Sequence, residues 1–366
     1  MRNLFESSSI AGIPVKNRFV RSATWEGLAT ASGAVTDELV DILVTLAKGG
    51  VGLIIAGHAY VSREGQASPW QTGVYKDELI PGLEKLTAAV HTAGGRIVLQ
   101  LAHGGCFASA KLSGKMPFTP SGMSDTTKAE RRVMTAQDIE DTVAAFAAGA
   151  RRARAAGFDG VQIHAAHGYL LSQFLSPAFN RRVDEYGGDI AGRCRFLLAV
   201  YRRVRETVGR DYPVLVKMNG ADYIDNGLTV EDAVQVAQWL ASEGIDAIEL
   251  SGGILTSPKL SPSRAGIDSE EKEAYFRHEA ARFKAAIDVP VILVGGIRSL
   301  PVAEKLLTDK TADYFSMSRP LIREPDLISR WAAEDTAAAA CISDNRCFRP
   351  ALRGRGVQCD VRQKTE

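Results

Sequence analysis

Short apolar runs rich in β-forming residues alternate with longer amphipathic, alanine-rich stretches from one end of the chain to the other. Such alternation is typical of a parallel sheet covered by helices. The uninterrupted apolar runs 214–216 and 291–294 favour strands that are buried on both faces. We predict strands at 18–23, 52–56, 96–101, 160–164, 214–218, 247–251, 290–294 and 314–317, and helices at 36–48, 79–92, 136–156, 191–208, 230–242, 273–286, 300–307 and 325–333.

Eight strand–helix units predict a closed (β/α)8 TIM barrel of the α/β class, because an open doubly wound sheet seldom needs so many units. The 366 residues of the chain suit one barrel with long loops. We assign residues 1–335 to the barrel and residues 336–366 to a C-terminal tail. Two connections, 102–135 after the third strand and 252–272 after the sixth, are too long for simple turns, and we expect both to be walls or lids of an active site.

Composition narrows the range of partners. Lys plus Arg number 44 and Asp plus Glu number 43, so the charge does not favour nucleic acid or an anionic membrane. The first residues lack a signal-peptide core, and no apolar run of about 18 residues occurs. Five cysteines, an odd number, do not make a disulfide framework. We expect a cytoplasmic protein with reduced thiols and a small-molecule substrate, either a monomer or a homo-oligomer.

The carboxyl ends of the predicted strands carry the polar residues that suit chemistry. In a TIM barrel these ends meet at one mouth, so the residues should face a common site. The fourth strand is the most informative, because it runs directly into two histidines and a tyrosine. We place at this mouth Thr24, Trp25, Gln100, His103, His164, His167, Tyr169, Lys217, Asn219, Ser251, Gly295, Gly296, Ser318 and Arg319.

Glycines and an arginine follow the last two strands. Bare backbone N–H groups at Gly295 and Gly296 can approach a phosphate, and the guanidinium of Arg319 can neutralise it. The two glycines alone would equally suit a tight strand-to-helix turn, and their position beside Arg319 favours a phosphate. A phosphorylated cofactor is therefore predicted.

Two other chemistries compete for these polar residues. His164 and His167 could be half of a zinc site, but no third ligand lies at metal-binding spacing nearby, so we predict no metal. Lys217 lies inside the predicted barrel, where a lysine can serve as the nucleophile of a Schiff-base lyase. The lyase is kept as an alternative.

One block of the chain resembles a known family. The segments 164–169 (HAAHGY), 176–182 (SPAFNRR) and 184–188 (DEYGG), followed by Arg193, resemble the old yellow enzyme family of NADH:flavin oxidoreductases. The resemblance extends from residues 17–20 to residues 319–325. It implies an FMN cofactor bound noncovalently at the barrel mouth, hydride taken from NADH or NADPH, and its transfer to an activated C=C bond.

The resemblance also implies roles for individual residues. His164 and His167 are similar to the pair that hydrogen-bonds the carbonyl oxygen of the substrate, and Tyr169 is similar to the proton donor. Gln100 matches the glutamine at the pyrimidine edge of the flavin, and Lys217 takes the place of the usual arginine beside flavin N1. The other implied cofactor contacts are Ser22, Ala23 and, through its backbone, His58 at the ring, and Gly295, Gly296, Ser318 and Arg319 at the phosphate.

The chain departs from the family pattern at two places. Trp25 stands where many members have a Cys or Thr that tunes the flavin, and we assign it to the substrate side of the site. The tail residues Cys341, Cys347 and Cys359 resemble the iron–sulfur cysteines of the 2,4-dienoyl-CoA reductase branch. Such a cluster needs four thiolates, and Asp344 occupies the place of one cysteine, so we expect no intact [4Fe–4S] cluster.

The leading hypothesis is an FMN-dependent NAD(P)H ene-reductase acting on α,β-unsaturated carbonyl compounds. Hydride would pass from flavin N5 to the β-carbon, and Tyr169 would give a proton to the α-carbon. The alternatives are a Schiff-base lyase using Lys217, an iron–sulfur-linked enoyl- or dienoyl-CoA-type reductase, and a flavoprotein that transfers electrons or senses without substrate turnover.

Overall fold

The structure is a computed structural model that describes residues 3–122, 130–257 and 259–361. Its strands are β1 (Ser8–Ile10), β2 (Ile13–Val15), β3 (Phe19–Arg21), β4 (Leu53–Tyr60), β5 (Ile97–Ala102), β6 (Phe118–Thr119), β7 (Arg132–Val133), β8 (Gly160–Ala165), β9 (Val214–Asn219), β10 (Ala247–Ser251), β11 (Val291–Val294) and β12 (Tyr314–Met317). Its helices are α1 (Asp37–Lys48), α2 (Ile80–Thr92), α3 (Ala110–Ser113), α4 (Ala136–Ala155), α5 (Leu170–Leu175), α6 (Ile190–Val208), α7 (Val230–Ser242), α8 (Arg277–Ala286), α9 (Leu300–Thr308), α10 (Arg319–Arg323) and α11 (Leu327–Ala332).

Eight parallel strands close into a barrel in the order β10-β11-β12-β3-β4-β5-β8-β9. Helices follow the barrel strands, and a continuous apolar core that includes Phe146, Phe196 and Phe283 lies between the sheet and the helices. The predicted (β/α)8 barrel is therefore confirmed. Among the described helices, none combines the length and the apolar character needed to cross a membrane.

Threonine caps explain where three of the helices begin. The side chains of Thr36, Thr135 and Thr229 accept hydrogen bonds from backbone N–H groups in the first turns of α1, α4 and α7. At α4, the carboxylate of Asp138 also accepts from the backbone N–H of Thr135, which completes a capping box. These three helices accordingly begin at or next to the predicted positions.

An N-terminal hairpin of β1 and β2 closes the bottom of the barrel. Ile10, Ile13 and Val15 are buried against inward-facing residues near the starts of the barrel strands, such as Leu53 and Val98. The hydrophobic pattern did not predict this hairpin, because three-residue strands are too short to show a period. The hairpin leaves the carboxyl-terminal end of the barrel as its open mouth.

The tail folds back onto the barrel. Arg298 donates a side-chain hydrogen bond of 2.9 Å to the carbonyl oxygen of Ala339. The backbone N–H of Val357 donates to the carbonyl oxygen of Glu26 at 2.9 Å. Ala351 between these points is fully buried. The tail thus lies beside the mouth, while its separation from the barrel at residue 335 stays a prediction.

Candidate active site

A cavity of about 520 Å³ opens at the carboxyl-terminal mouth of the barrel. This volume is in the range of small-molecule and cofactor sites. The predicted site residues in its wall are Ser22, Ala23, Trp25, His58, Gln100, His164, His167, Tyr169, Lys217, Gly296, Ser318 and Arg319. Three residues that were placed at the mouth are not in the wall: Gly295, which lies next to Gly296, Asn219 and His103. The structure therefore brings most of the predicted residues together, while their roles stay predictions.

The histidine pair follows β8. His164 lies opposite Lys217 in the parallel register of β8 and β9, and its Nδ1 is buried without a hydrogen-bond partner. His167 adopts φ 63°, a left-handed conformation that is uncommon for a residue with a side chain. Its backbone N–H donates to Asn219 Oδ1 at 3.1 Å, and its Nε2 lies 2.7 Å from Ser251 Oγ. A constrained backbone held by several contacts is a frequent feature of functional sites.

Burial sets the protonation of this pair. Burial is the main cause that lowers the pKa of both His164 and His167 well below the usual value of 6.5, and the nearby charge of Lys217 lowers both further. Both rings are therefore neutral at pH 7, so each has one N–H to donate. The ring centroids of the two histidines are 5.4 Å apart, which suits two donors that converge on one acceptor.

Tyr169 stands between His164 and His58. Its ring centroid lies 4.9 Å from that of His164, and its hydroxyl lies 3.4 Å from His58 Nε2. Burial raises the pKa of Tyr169 to about 12, so the hydroxyl keeps its proton at neutral pH. Burial, and then the charge of Lys217, lowers the pKa of His58 to about 4.

His58 has contacts in the cavity through its side chain as well as its backbone. The expected contact of its backbone with the flavin stays a prediction, and its carbonyl oxygen accepts a hydrogen bond of 2.8 Å from Gln71 Nε2. The imidazole ring reaches Tyr169. The side chain of His58 therefore lies beside Tyr169 in the cavity wall.

Lys217 is paired with a carboxylate that the sequence analysis did not assign to the site. Its Nζ donates to Glu249 Oε1 at 3.1 Å and to Ser22 Oγ at 2.7 Å. Burial alone would raise the pKa of Glu249, but the charge of Lys217 and three side-chain hydrogen bonds lower it. A Schiff-base lysine needs a free neutral amine, so this ion pair argues against the lyase alternative.

The end of the cavity near β11 and β12 is shaped by glycine. Gly295 and Gly296 have φ of 138° and 76°, which side chains rarely adopt. A Cβ on Gly296 would lie 2.7 Å from the ring of Tyr275, so only glycine fits there. Arg319 beside them donates to Asn345 Oδ1 at 2.7 Å and to a loop carbonyl, which leaves further N–H groups of its guanidinium for an anion. This cradle fits a phosphate group.

Two expectations about the mouth are not met by the described residues. His103 does not line the cavity, because its ring stacks on Phe118 and its Nδ1 accepts from the backbone N–H of Gly105 at 3.1 Å. The described part of connection 102–135 also contributes no residue to the cavity wall. It packs on the segment after α5, where Ser121 Oγ donates to the carbonyl oxygen of Phe179 at 2.7 Å. Residues 123–129 of this connection lie outside the described residues.

Two segments of the chain, connection 252–272 and the C-terminal tail, cover the cavity. Connection 252–272 contributes as predicted, with Leu255, Ser261, Pro262 and Ser263. The tail adds Ser343, Asn345 and Phe348, which no sequence pattern had placed there.

The tail cysteines meet in a separate small cavity of about 20 Å³. Cys341, Cys347 and Cys359 line it together with Asp344. Burial raises the pKa of Cys341 and raises that of Cys347 to about 11, so these groups are thiols at neutral pH. Within the described residues, no group of three or more His, Cys, Asp or Glu side chains suits a metal ion. Three thiols and a carboxylate do not fit a regular [4Fe–4S] cluster.

Comparison with known proteins shows the family to which this chain belongs. The model of the NADH:flavin oxidoreductase / NADH oxidase family matches residues 3–336, so the chain belongs to this family. It is 35% identical over 329 residues to an NADH oxidase of Thermoanaerobacter brockii, covering 88% of this chain and 50% of that relative. It is 35% identical over 335 residues to an NADPH dehydrogenase of Bacillus subtilis (strain 168), covering 91% and 95%. A solved complex of 2-naphthoyl-CoA reductase with 2-naphthoyl-CoA superimposes with a TM-score of 0.90 at 29% identity, covering 98% of this chain and 56% of that one.

Family membership confirms the resemblance inferred from the sequence. This membership also supports FMN as the cofactor. The chain spans about half the length of some of the relatives that it matches.

Proposed function

We propose that this chain is an FMN-dependent NAD(P)H oxidoreductase that reduces the activated C=C bond of α,β-unsaturated carbonyl compounds. The observation that carries the proposal is the convergence of His164, His167 and Tyr169 in one cavity with Gln100 and Lys217. The pair of imidazoles and the phenol supply donors for a carbonyl oxygen and a proton for carbon. A lyase or a simple electron carrier has no need of this combination.

The cavity has the features that FMN requires. Gly296, Ser318 and Arg319 would hold the phosphate, while Gln100 and Lys217 would hold the pyrimidine edge of the ring. When bound, FMN supplies the hydride, which comes from NADH or NADPH and goes to the β-carbon of the substrate.

The two histidines bind and polarise the substrate. Each neutral imidazole can donate one N–H to the carbonyl oxygen, where negative charge develops as the β-carbon is reduced. The constrained backbone of His167 and its contact with Ser251 hold one ring in place before the substrate arrives. Such preorganised donors stabilise the developing enolate.

Tyr169 provides the proton. Its buried hydroxyl is protonated throughout the physiological pH range and adjoins the histidine that binds the carbonyl group. His58 Nε2 lies within reach of this hydroxyl and, as a neutral imidazole, can hydrogen-bond it and hold it in place.

The test combines cofactor analysis with a single turnover. Purified protein should release one FMN per chain on denaturation. Anaerobically reduced protein should be reoxidised by cyclohex-2-enone much faster than in buffer alone, with cyclohexanone as product. Release of FAD, or equal rates with and without the enone, would overturn the proposal.

A CoA thioester is a second candidate substrate. The observation that favours it is the structural similarity to 2-naphthoyl-CoA reductase over 98% of this chain. Crotonyl-CoA offered to the reduced protein beside cyclohex-2-enone separates the two substrate classes, because the preferred class should reoxidise the flavin at the lower concentration.

A further inference from the structure

Glu249 is the centre of a buried hydrogen-bond network beneath the cavity. It is fully buried, and it lies directly opposite Lys217 in the register of β9 and β10. Its Oε1 accepts from Lys217, Ser22 and Ser316, the last at 2.6 Å. Its Oε2 accepts from Gln162 Nε2 at 2.9 Å. Both oxygens of the carboxylate are therefore in use.

The network dictates the orientation of two amides. A carboxylate only accepts hydrogen bonds, so Gln162 must direct its NH₂ group to Glu249. The carbonyl oxygen of Gln162 then faces Gln100, whose Nε2 donates to it at 2.7 Å. Because its NH₂ is engaged in this way, Gln100 has its carbonyl oxygen left for whatever occupies the cavity.

We propose that Glu249 is a positioning residue that decides which atoms the protein presents to the flavin. Through Gln162 it makes Gln100 present an acceptor, and through its charge it holds Lys217 as a donor. The pyrimidine edge of FMN carries one N–H between two carbonyl oxygens, and an acceptor next to a cationic donor complements that edge. This inference rests on the FMN site proposed above.

The ion pair of Lys217 and Glu249 also affects the midpoint potential of the bound flavin. The negative charge of Glu249 offsets the positive charge of Lys217, so the wild-type site adds little net charge beside the flavin. Removing the carboxylate would leave the lysine uncompensated in a buried site, and a bare cation favours the anionic reduced flavin over the oxidised form.

The experiment measures FMN affinity and midpoint potential in Glu249→Gln. A carboxamide has one acceptor oxygen in place of two, so the variant must lose either the bond from Gln162 or the bond from Lys217. We expect the Kd of oxidised FMN for flavin-free protein to rise roughly 5- to 150-fold, the effect of one unsatisfied buried group. The potential of the bound flavin should move to a more positive value.

Two further variants separate the contributions. Gln162→Met breaks the relay to Gln100 and leaves the ion pair, so it should weaken FMN binding without moving the potential. Asp246→Asn is the matched control, because it changes a carboxylate one residue before the strand of Glu249, at the opposite end of the barrel, where it pairs with Arg205. It should change neither FMN affinity nor potential, whatever it does to stability.

The outcomes are distinct. Unchanged affinity and potential in Glu249→Gln would overturn the proposal, as would wild-type FMN affinity in Gln162→Met, which also decides the matter if Glu249→Gln fails to fold. If the wild-type chain itself binds no FMN, it is the proposed function that fails.

Discussion

Replacing Tyr169 with Phe removes one hydroxyl and keeps the ring that packs 4.9 Å from His164. The lost contact, a hydroxyl 3.4 Å from His58 Nε2, is long for a hydrogen bond and should contribute no more than about 1 kcal/mol to folding. The variant should therefore fold and bind FMN like the wild type. Its defect should be confined to proton delivery.

The size of that defect follows from the protonation of the site. With its pKa raised to about 12, Tyr169 is fully protonated at neutral pH, so nearly every molecule has this proton to give. A positioned general acid accelerates a step by roughly 10²- to 10⁴-fold. His58, with its pKa lowered to about 4, is neutral at this pH and is a poor substitute as an acid.

Anaerobic stopped-flow absorbance separates the two half-reactions. Reduction of the flavin by NADPH or NADH needs no proton from Tyr169 and should keep its rate in Tyr169→Phe. Reoxidation by a weakly activated enone should slow by roughly 10²- to 10⁴-fold. Equal slowing of both half-reactions would show a disturbed site, and unchanged reoxidation would show that another group supplies the proton; either result refutes the assignment.

Four further predictions concern the rest of the chain. Replacing His164 and His167 together with Ala should abolish the long-wavelength absorbance band that phenols give with oxidised flavin, while FMN stays bound; a surviving band would make both histidines structural. Arg319→Ala should raise the Kd of FMN by roughly 10-fold or more through loss of a charge-assisted phosphate contact, with unchanged affinity arguing against the phosphate cradle. Anaerobically purified protein should lack stoichiometric iron and sulfide, because Asp344 replaces one of the four cysteines that a [4Fe–4S] cluster needs. About four irons per chain would contradict this inference. Burial lowers the pKa of His103 to about 3. Below about pH 6.5 the unfolded chain therefore binds a proton at this residue that the folded chain does not bind, and the free energy of unfolding decreases as the pH is lowered. Urea titrations of His103→Leu from about pH 5.5 to about pH 4 should show a dependence on pH that is shallower by about 1.4 kcal/mol per pH unit, and a slope equal to that of the wild type would contradict this cause.

The barrel could be predicted because most of its strands are long enough to show a pattern and recur in alternation with helices. Runs such as Val291–Val294 are apolar throughout, and caps such as Thr135 mark where helices begin. The residues at the mouth could be predicted from the strands, because the carboxyl ends of the barrel strands meet at one end of the barrel and polar residues there face a common site. His164 and Lys217 were placed in this way, and the structure brings them to opposite positions in the register.

Other features depend on contacts between distant segments. The hairpin of β1 and β2 has too few residues for a periodic signal. The tail reaches the cavity through Asn345 and Arg319, a contact that no local pattern encodes. The role of Glu249 could have been predicted, because an acidic residue within the apolar strand Ala247–Ser251 needs a buried partner. Lys217, on the neighbouring predicted strand, is a cation that can pair with it.

The most direct test of the central claim is a crystal structure of the FMN-bound protein soaked with p-hydroxybenzaldehyde. The phenolate oxygen should lie within hydrogen-bond distance of both His164 and His167, with the aromatic ring stacked on the flavin and Tyr169 above it. A phenol bound elsewhere, or bound in the cavity without contact to either histidine, would contradict the proposed site.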